Sequence, residues 1–89
     1  MSTAFQGSLG AKVLIRTVTH YYTGRITAVH DDAITLEDAA WIPDTGRFSQ
    51  ALNTGKLEEV EPYPGPVTIM TAAIVDVSPW THELPREVR

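Results

Sequence analysis

One segment of this 89-residue chain combines residue types that could bind a ligand: Trp41-Ile42-Pro43-Asp44-Thr45-Gly46-Arg47-Phe48. Its aromatic rings could stack on a nucleobase, and Arg47 could pair with a phosphate. Tryptophan and arginine are also enriched at the energetically dominant positions of protein interfaces. We therefore weigh two interpretations of Trp41 and Phe48, a ligand site and a core or subunit-interface anchor. We favour the anchor and predict that Trp41 is buried against residues 43–66 or a neighbouring subunit, with Phe48 packed close by.

His30-Asp31-Asp32 could supply ligands to a divalent metal ion, because imidazole and carboxylate groups bind such ions. Adjacent residues seldom point to one centre, however, and aspartates are typical of solvated turns. We interpret the segment as a turn and predict no metal site. His20 and His82 are each isolated in the sequence, which favours surface positions over general-base roles.

The sequence contains no recognisable catalytic set. There is no cysteine, so neither a disulfide nor a thiolate nucleophile or ligand is available. No serine lies in a nucleophile-elbow pattern. We therefore expect a non-enzymatic protein that needs no cofactor.

Composition and charge narrow the class of protein further. The net charge is −4 and the pI is about 5.1, which argues against phosphate-backbone binding as the main driving force. No apolar run reaches the ~20 residues of a membrane span, and residues 1–12 do not resemble a signal peptide. We expect a cytoplasmic protein without membrane contact. Its thin core, with no disulfide, favours oligomerisation.

Val, Ile and Thr total 25 residues against 14 for Leu, Glu and Lys, which favours strands. Alternating polarity and turn residues predict strands over residues 12–18, 21–29, 33–42, 67–70 and 74–77. A short helix is expected at residues 2–9. Gly24, within a strand, predicts a bend or a close backbone approach.

Residues 43–66 read as a long loop insertion within a single domain spanning residues 1–89. Pro43 is expected to end the third strand, residues 47–52 to form one helical turn, and residues 57–60 to be extended. Residues 79–89 read as a tail anchored by Trp80. Five short strands in so short a chain predict a small, strongly bent all-β barrel whose edges invite pairing with a neighbour.

The strand residues also carry two short motifs. The first motif comprises Lys12-Val13-Leu14-Ile15-Arg16, Tyr22-Thr23-Gly24-Arg25-Ile26, His30-Asp31-Asp32 and Ile34-Thr35-Leu36-Glu37-Asp38-Ala39. The second comprises Val67-Thr68-Ile69-Met70 and Ile74-Val75-Asp76-Val77. In these motifs, and in the order of a helix followed by five strands, the chain resembles the Sm-like family. Its small build favours a bacterial or phage-type member.

The resemblance implies an Sm-like, strongly bent five-stranded open barrel with a short N-terminal helix. It further implies that the fourth and fifth strands pair with neighbouring subunits in a homo-oligomeric ring, a hexamer or heptamer. A heterologous interface that closes gives such a ring, and strand addition satisfies both edges. The expected interface residues are Val67, Ile69, Ile74, Val75, Val77 and Trp41.

The chain departs from the family where the family binds RNA. The family's pocket uses an Asn before the third strand, where this chain has His30-Asp31-Asp32-Ala33. The family's Arg-Gly is replaced by Met70-Thr71. The RNA site is therefore not carried over to this sequence.

We predict a structural ring that presents a surface to an unknown protein partner. The alternative is an RNA- or nucleotide-binding ring with a non-standard site, for which the candidate residues are Trp41, Arg47, Phe48, Arg25 and Arg16. A third interpretation is a small-ligand or metal-binding enzyme subunit that uses His30 and Asp31.

Overall fold

The computed structural model describes residues 6–89. These residues form six strands: β1 (Lys12–Thr17), β2 (Tyr21–Val29), β3 (Ala33–Asp44), β4 (Glu59–Pro62), β5 (Val67–Met70) and β6 (Ile74–Pro79). Helix α1 (Phe48–Thr54) lies between β3 and β4, and 3₁₀ turns lie at Gln6–Ser8 and Thr71–Ala73. Of the helix expected at residues 2–9, the structure has the 3₁₀ turn, and residues 2–5 lie outside the described residues.

All strand pairs are antiparallel, and the strand order is β4-β3-β2-β1-β6, with β5 also paired to β3. β4 pairs with residues 40–44 of β3, and β5 pairs with residues 33–36 of the same strand. β4 and β5 therefore act as two halves of one interrupted strand. The five predicted strands correspond to β1, β2, β3, β5 and β6, and the all-β bent open barrel is confirmed.

Within residues 43–66, the expectation that Pro43 ends the third strand is wrong. β3 continues through Pro43 to Asp44, where it pairs with Glu59 of β4. Proline cannot donate to a ladder but is tolerated at irregularities, and the β3–β4 register shifts between Trp41 and Asp44. The segment then forms α1 and β4, close to the helical turn expected at residues 47–52 and the extended piece expected at residues 57–60.

The sheet bends sharply where β2 crosses β3. The register of this pair shifts between Thr23 and Arg25, so that Gly24 faces a bulge in β3 at residues 38–39. Asp38 adopts a left-handed conformation with φ of 51°, which Asp tolerates better than most residues. A Cβ on Gly24 would lie 3.0 Å from Cβ of Leu36 and 3.3 Å from that of Ala39. Glycine thus permits the close approach that the sequence predicts here.

The concave face of the sheet encloses the first of two apolar clusters, which we name the inner core. It contains Val13, Ile15, Ile26, Ile34, Leu36, Ala39 and Ile69, all buried. Half-buried side chains from β5 and β6 complete it. Alternation along β3 places Ile34 and Leu36 inward while Glu37 is exposed.

The opposite face of the sheet carries the second cluster, which we name the outer core. It contains Leu14, Ala40, Ile42, Ala51, Leu57, Val60, Trp80 and Leu84. Helix α1 and the tail cover this face, so β1 is buried on both sides. Trp80 is only 3% exposed and its indole N–H donates to the carbonyl oxygen of Glu83, in accord with the expected anchor of the tail.

Backbone and side-chain hydrogen bonds fix the tail on the outer core. Val60 and Arg89 exchange a reciprocal pair of backbone hydrogen bonds, each 3.0 Å, so the tail adds to β4. A ring nitrogen of His82 lies 2.8 Å from the Leu52 carbonyl oxygen. Helix α1 ends at Gly55, whose φ of 77° is left-handed and whose Cα faces the His82 ring.

The bend at Gly24 gives a first prediction. Gly24→Ala should reduce the free energy of unfolding by about 1–3 kcal/mol, because the new Cβ overpacks against Leu36 and Ala39. The matched control is Gly65→Ala, where a new Cβ would meet no atom within 4 Å in the described structure. Thermal unfolding of both variants measures the effect. Equal melting temperatures would show that β2 and β3 can separate without cost.

Candidate functional site

The first candidate surface consists of two open strand edges. β5 uses one edge to pair with β3, and β6 uses one edge to pair with β1. Across residues 6–89, no pairing joins β5 to β6. Each strand therefore presents one row of backbone N–H and C=O groups that can accept another strand.

The side chains expected at a subunit interface divide into two groups. Ile69 is buried in the inner core, and Val67, Ile74 and Val77 are half-buried against it. These residues can contribute to an interface mainly through their backbone. Val75 is 54% exposed on β6. Met70, which the sequence interpretation missed, is 51% exposed on β5, and its position at the end of an edge strand is the signal that could have found it.

The second candidate surface joins the turn at residues 30–32 to the turn after β5. Both the backbone N–H and the hydroxyl of Thr71 donate to the carbonyl oxygen of Asp32, at 2.9 and 3.0 Å. A ring nitrogen of His30 lies 3.0 Å from the Thr35 hydroxyl, which in turn lies 3.0 Å from the Thr68 hydroxyl. The turn at residues 30–32 and the turn at residues 71–73 are thus adjacent.

The chemistry of these joined turns differs from that of a phosphate site. The turn at residues 30–32 carries two exposed carboxylates, Asp31 and Asp32, and the facing turn at residues 71–73 is Thr-Ala-Ala. Neither turn carries a lysine or arginine that could contact a nucleic-acid backbone. Within the described part of the chain, no group of three or more His, Asp or Glu side chains is placed to hold a metal ion.

The third candidate surface is an aromatic cluster formed by His20, Tyr22, Trp41 and Tyr63. The His20 ring lies edge-on to Tyr22 at 4.9 Å and to Trp41 at 5.4 Å, and Tyr22 stacks on Tyr63 at 6.2 Å. Partial burial and the neighbouring Tyr63 raise the pKa of the Tyr22 phenol. Within residues 6–89, Nε2 of His20 is buried without a hydrogen-bond partner.

Trp41 is 38% exposed, so it is not a fully buried anchor in one chain. The prediction that Phe48 packs beside it is wrong. Phe48 stacks on Tyr21 at 5.7 Å, whereas Trp41 is the register partner of Tyr22. Because consecutive strand residues point to opposite faces, Trp41 and Phe48 lie on opposite sides of the sheet.

The three candidate arginines are also dispersed. Arg16 forms an ion pair with Asp76, which raises the pKa of the guanidinium. Arg25 donates to the Gly10 carbonyl oxygen at 2.9 Å, and Arg47 is exposed at the start of α1. In the register of β1 and β2, Arg16 lies opposite Tyr21 and Arg25 lies opposite Lys12. The two arginines are therefore about 13 Å apart along the strands. The structure therefore does not bring Trp41, Arg47, Phe48, Arg25 and Arg16 into one site.

The fold of this chain is similar to that of two solved structures. A heptameric archaeal Sm protein superposes with a TM-score of 0.62 and 21% identity, over 88% of this chain and 97% of that chain. The SmAP1 heptamer of P. aerophilum superposes with a TM-score of 0.61 and 21% identity, over 89% of this chain and 95% of that chain. The chain has the Sm fold. No protein-family model matches the sequence, and no curated protein matches it either.

Two surface features accompany the open barrel of this chain. The joined turns carry carboxylates, and helix α1 and the tail cover the outer face of the sheet. Residues 6–89 contain no helix that is both long and apolar enough to cross a lipid bilayer.

The acidic joined turns give a second prediction. A short U-rich RNA should bind no more tightly than the ~10⁻⁴–10⁻⁶ M typical of non-specific binding at physiological salt. The physical reason is that Asp31 and Asp32 repel phosphate where a cation would be needed. Fluorescence anisotropy with oligo-U and oligo-A at two salt concentrations measures this affinity. Nanomolar, sequence-selective binding would refute the prediction.

Proposed function

We propose that this protein is a non-enzymatic, cytoplasmic scaffold that assembles into a closed homo-oligomeric ring through β5 and β6. The observation that supports the proposal most directly is the pair of unpaired edges at opposite sides of one bent sheet. Pairing β5 of one copy with β6 of the next would satisfy both edges with a single repeated contact.

The geometry of that contact favours a closed assembly. Joining two different edges makes a heterologous interface, which generates a ring when the rotation between copies closes. The bend at Gly24 curves the sheet, so successive copies are rotated relative to one another. Both solved structures described above are heptamers, and we expect six or seven copies here.

Exposed apolar side chains support the same edges as contact surfaces. Met70 and Val75 are both more than half exposed although they are large and apolar, and each lies on one of the two free strands. Removing such surface from water contributes roughly 25 cal/mol per Å². Backbone pairing would set the register of the contact, and these side chains would add to its strength.

The aromatic cluster is the observation that favours a second candidate function, nucleobase binding. Trp41 is partly exposed beside Tyr22 and Tyr63, and exposed aromatic rings can stack on bases. The cluster itself carries no lysine or arginine, and the register partner of Trp41 on β4 is the carboxylate Glu61. We therefore favour contact with a protein surface, either a neighbouring subunit or a partner, over contact with nucleic acid.

The proposed contact gives a third prediction. The native protein should show a mass six or seven times the 9.8 kDa of one chain in multi-angle light scattering. Val75→Lys should shift that mass toward a single chain, because a lysine on an edge strand opposes strand pairing. Val75 is exposed, so the far-UV circular dichroism of the variant should match that of the wild type.

A matched control uses the same substitution where the strand edge is already occupied. Val88 is 68% exposed and lies in the tail, which pairs with β4 through the reciprocal Val60–Arg89 hydrogen bonds. Val88→Lys should leave the mass unchanged. A wild-type mass of 9.8 kDa at micromolar concentration would contradict the ring, and equal effects of the two lysines would contradict the choice of edge.

A further inference from the structure

Positive charge is concentrated in one place on this acidic protein. A groove of about 620 Å³ runs between the start of β1, the middle of β2 and the tail. Four of the seven lysines and arginines in the sequence line it, together with two carboxylates. The charged residues of this basic groove are Lys12, Arg25, Glu83, Arg86, Glu87 and Arg89.

Three of the four cations in the basic groove form no ion pair within the described part of the chain. Lys12 donates to the His82 carbonyl oxygen at 2.6 Å, Arg25 to that of Gly10 at 2.9 Å, and Arg89 to that of Leu57 at 3.3 Å. These partners are neutral and occupy one donor each. Among the described residues, the ion pairs are Arg16–Asp76 and Arg86–Asp38. Lys12, Arg25 and Arg89 therefore retain N–H groups that can still donate to a ligand.

The strand register and the hydrogen bonds also orient these cations. Lys12 and Arg25 are register partners on β1 and β2, so their side chains project from the same face. Arg86 is oriented by a two-pronged contact with Asp38, at 2.9 and 3.3 Å. Guanidinium groups held in this way match phosphate oxygens in geometry as well as in charge.

We propose that the basic groove binds a compact ligand that carries two or more phosphate groups. Its volume is within the ~300–1,000 Å³ of small-ligand sites. Its described lining contains no aromatic ring for base stacking, so the phosphate groups themselves are the recognised part. The protein's net charge of −4 disfavours a long polyanion. This site is independent of β5 and β6 and adds a ligand to the proposed scaffold.

Isothermal titration calorimetry of the full chain with sodium triphosphate tests the proposal. Binding should be saturable and should weaken as NaCl is raised from about 0.05 M to about 0.2 M. Arg25→Gln should weaken it about tenfold or more, because a charge-assisted hydrogen bond is lost. Arg89→Gln is a second exposed position at which the same loss is expected. ATP should bind with comparable affinity if the phosphate chain is what the groove recognises.

The matched control is Arg47→Gln, which removes the same charge from an exposed arginine outside the basic groove. It should leave the triphosphate affinity unchanged. Absence of saturable binding, or equal losses in Arg47→Gln and Arg25→Gln, would overturn the proposal. Oligo-U RNA that binds more tightly than triphosphate and is lost in Arg25→Gln would also overturn it, in favour of an extended nucleic-acid site.

Discussion

The close approach of β2 and β3 at Gly24 is the constraint on which the shape of the molecule depends. Glycine lets Leu36 and Ala39 of β3 come within 3.3 Å of where a Cβ would lie, and the bulge at Asp38 turns the strand. The sheet can then curl around Ile15, Ile26 and Ile34. Within residues 6–89 it curls without closing, so β5 and β6 each keep one free edge, and those two edges are the basis of the proposed ring.

The outer core bears on why the protein would assemble into an oligomer. The sequence suggests that a thin core with no disulfide needs a partner for stability. The structure shows a second apolar layer, in which Trp80 and Leu84 of the tail and Ala51 of α1 cover the other face of the sheet. Burial on both faces stabilises one chain more than the sequence interpretation assumed. Assembly is therefore better explained by unpaired backbone groups than by a deficient core.

Local patterns predicted the fold where the decisive contacts are close in sequence. Alternation in β1 and β3 and the single Gly24 predicted the meander and its bend, and the Sm-like resemblance predicted the open barrel. The prediction that the third strand ends at Pro43 was wrong because pairing with β4 extends β3 to Asp44. Two contacts depend on the folded sheet: Phe48 stacks on Tyr21, and the tail lies beside Lys12 and Arg25. The spacing of these residues in the sequence predicts neither contact.

Hydrogen–deuterium exchange tests the central claim, that β5 and β6 pair between copies, most directly. One chain alone uses a single edge of each strand, so the amides that point outward from Val67–Met70 and Ile74–Pro79 are open to solvent. At protein concentrations where the ring forms, these amides should exchange much more slowly than after dilution to single chains, while β1 and β2 change little. Equally fast exchange of the β5 and β6 amides at both concentrations would contradict the account.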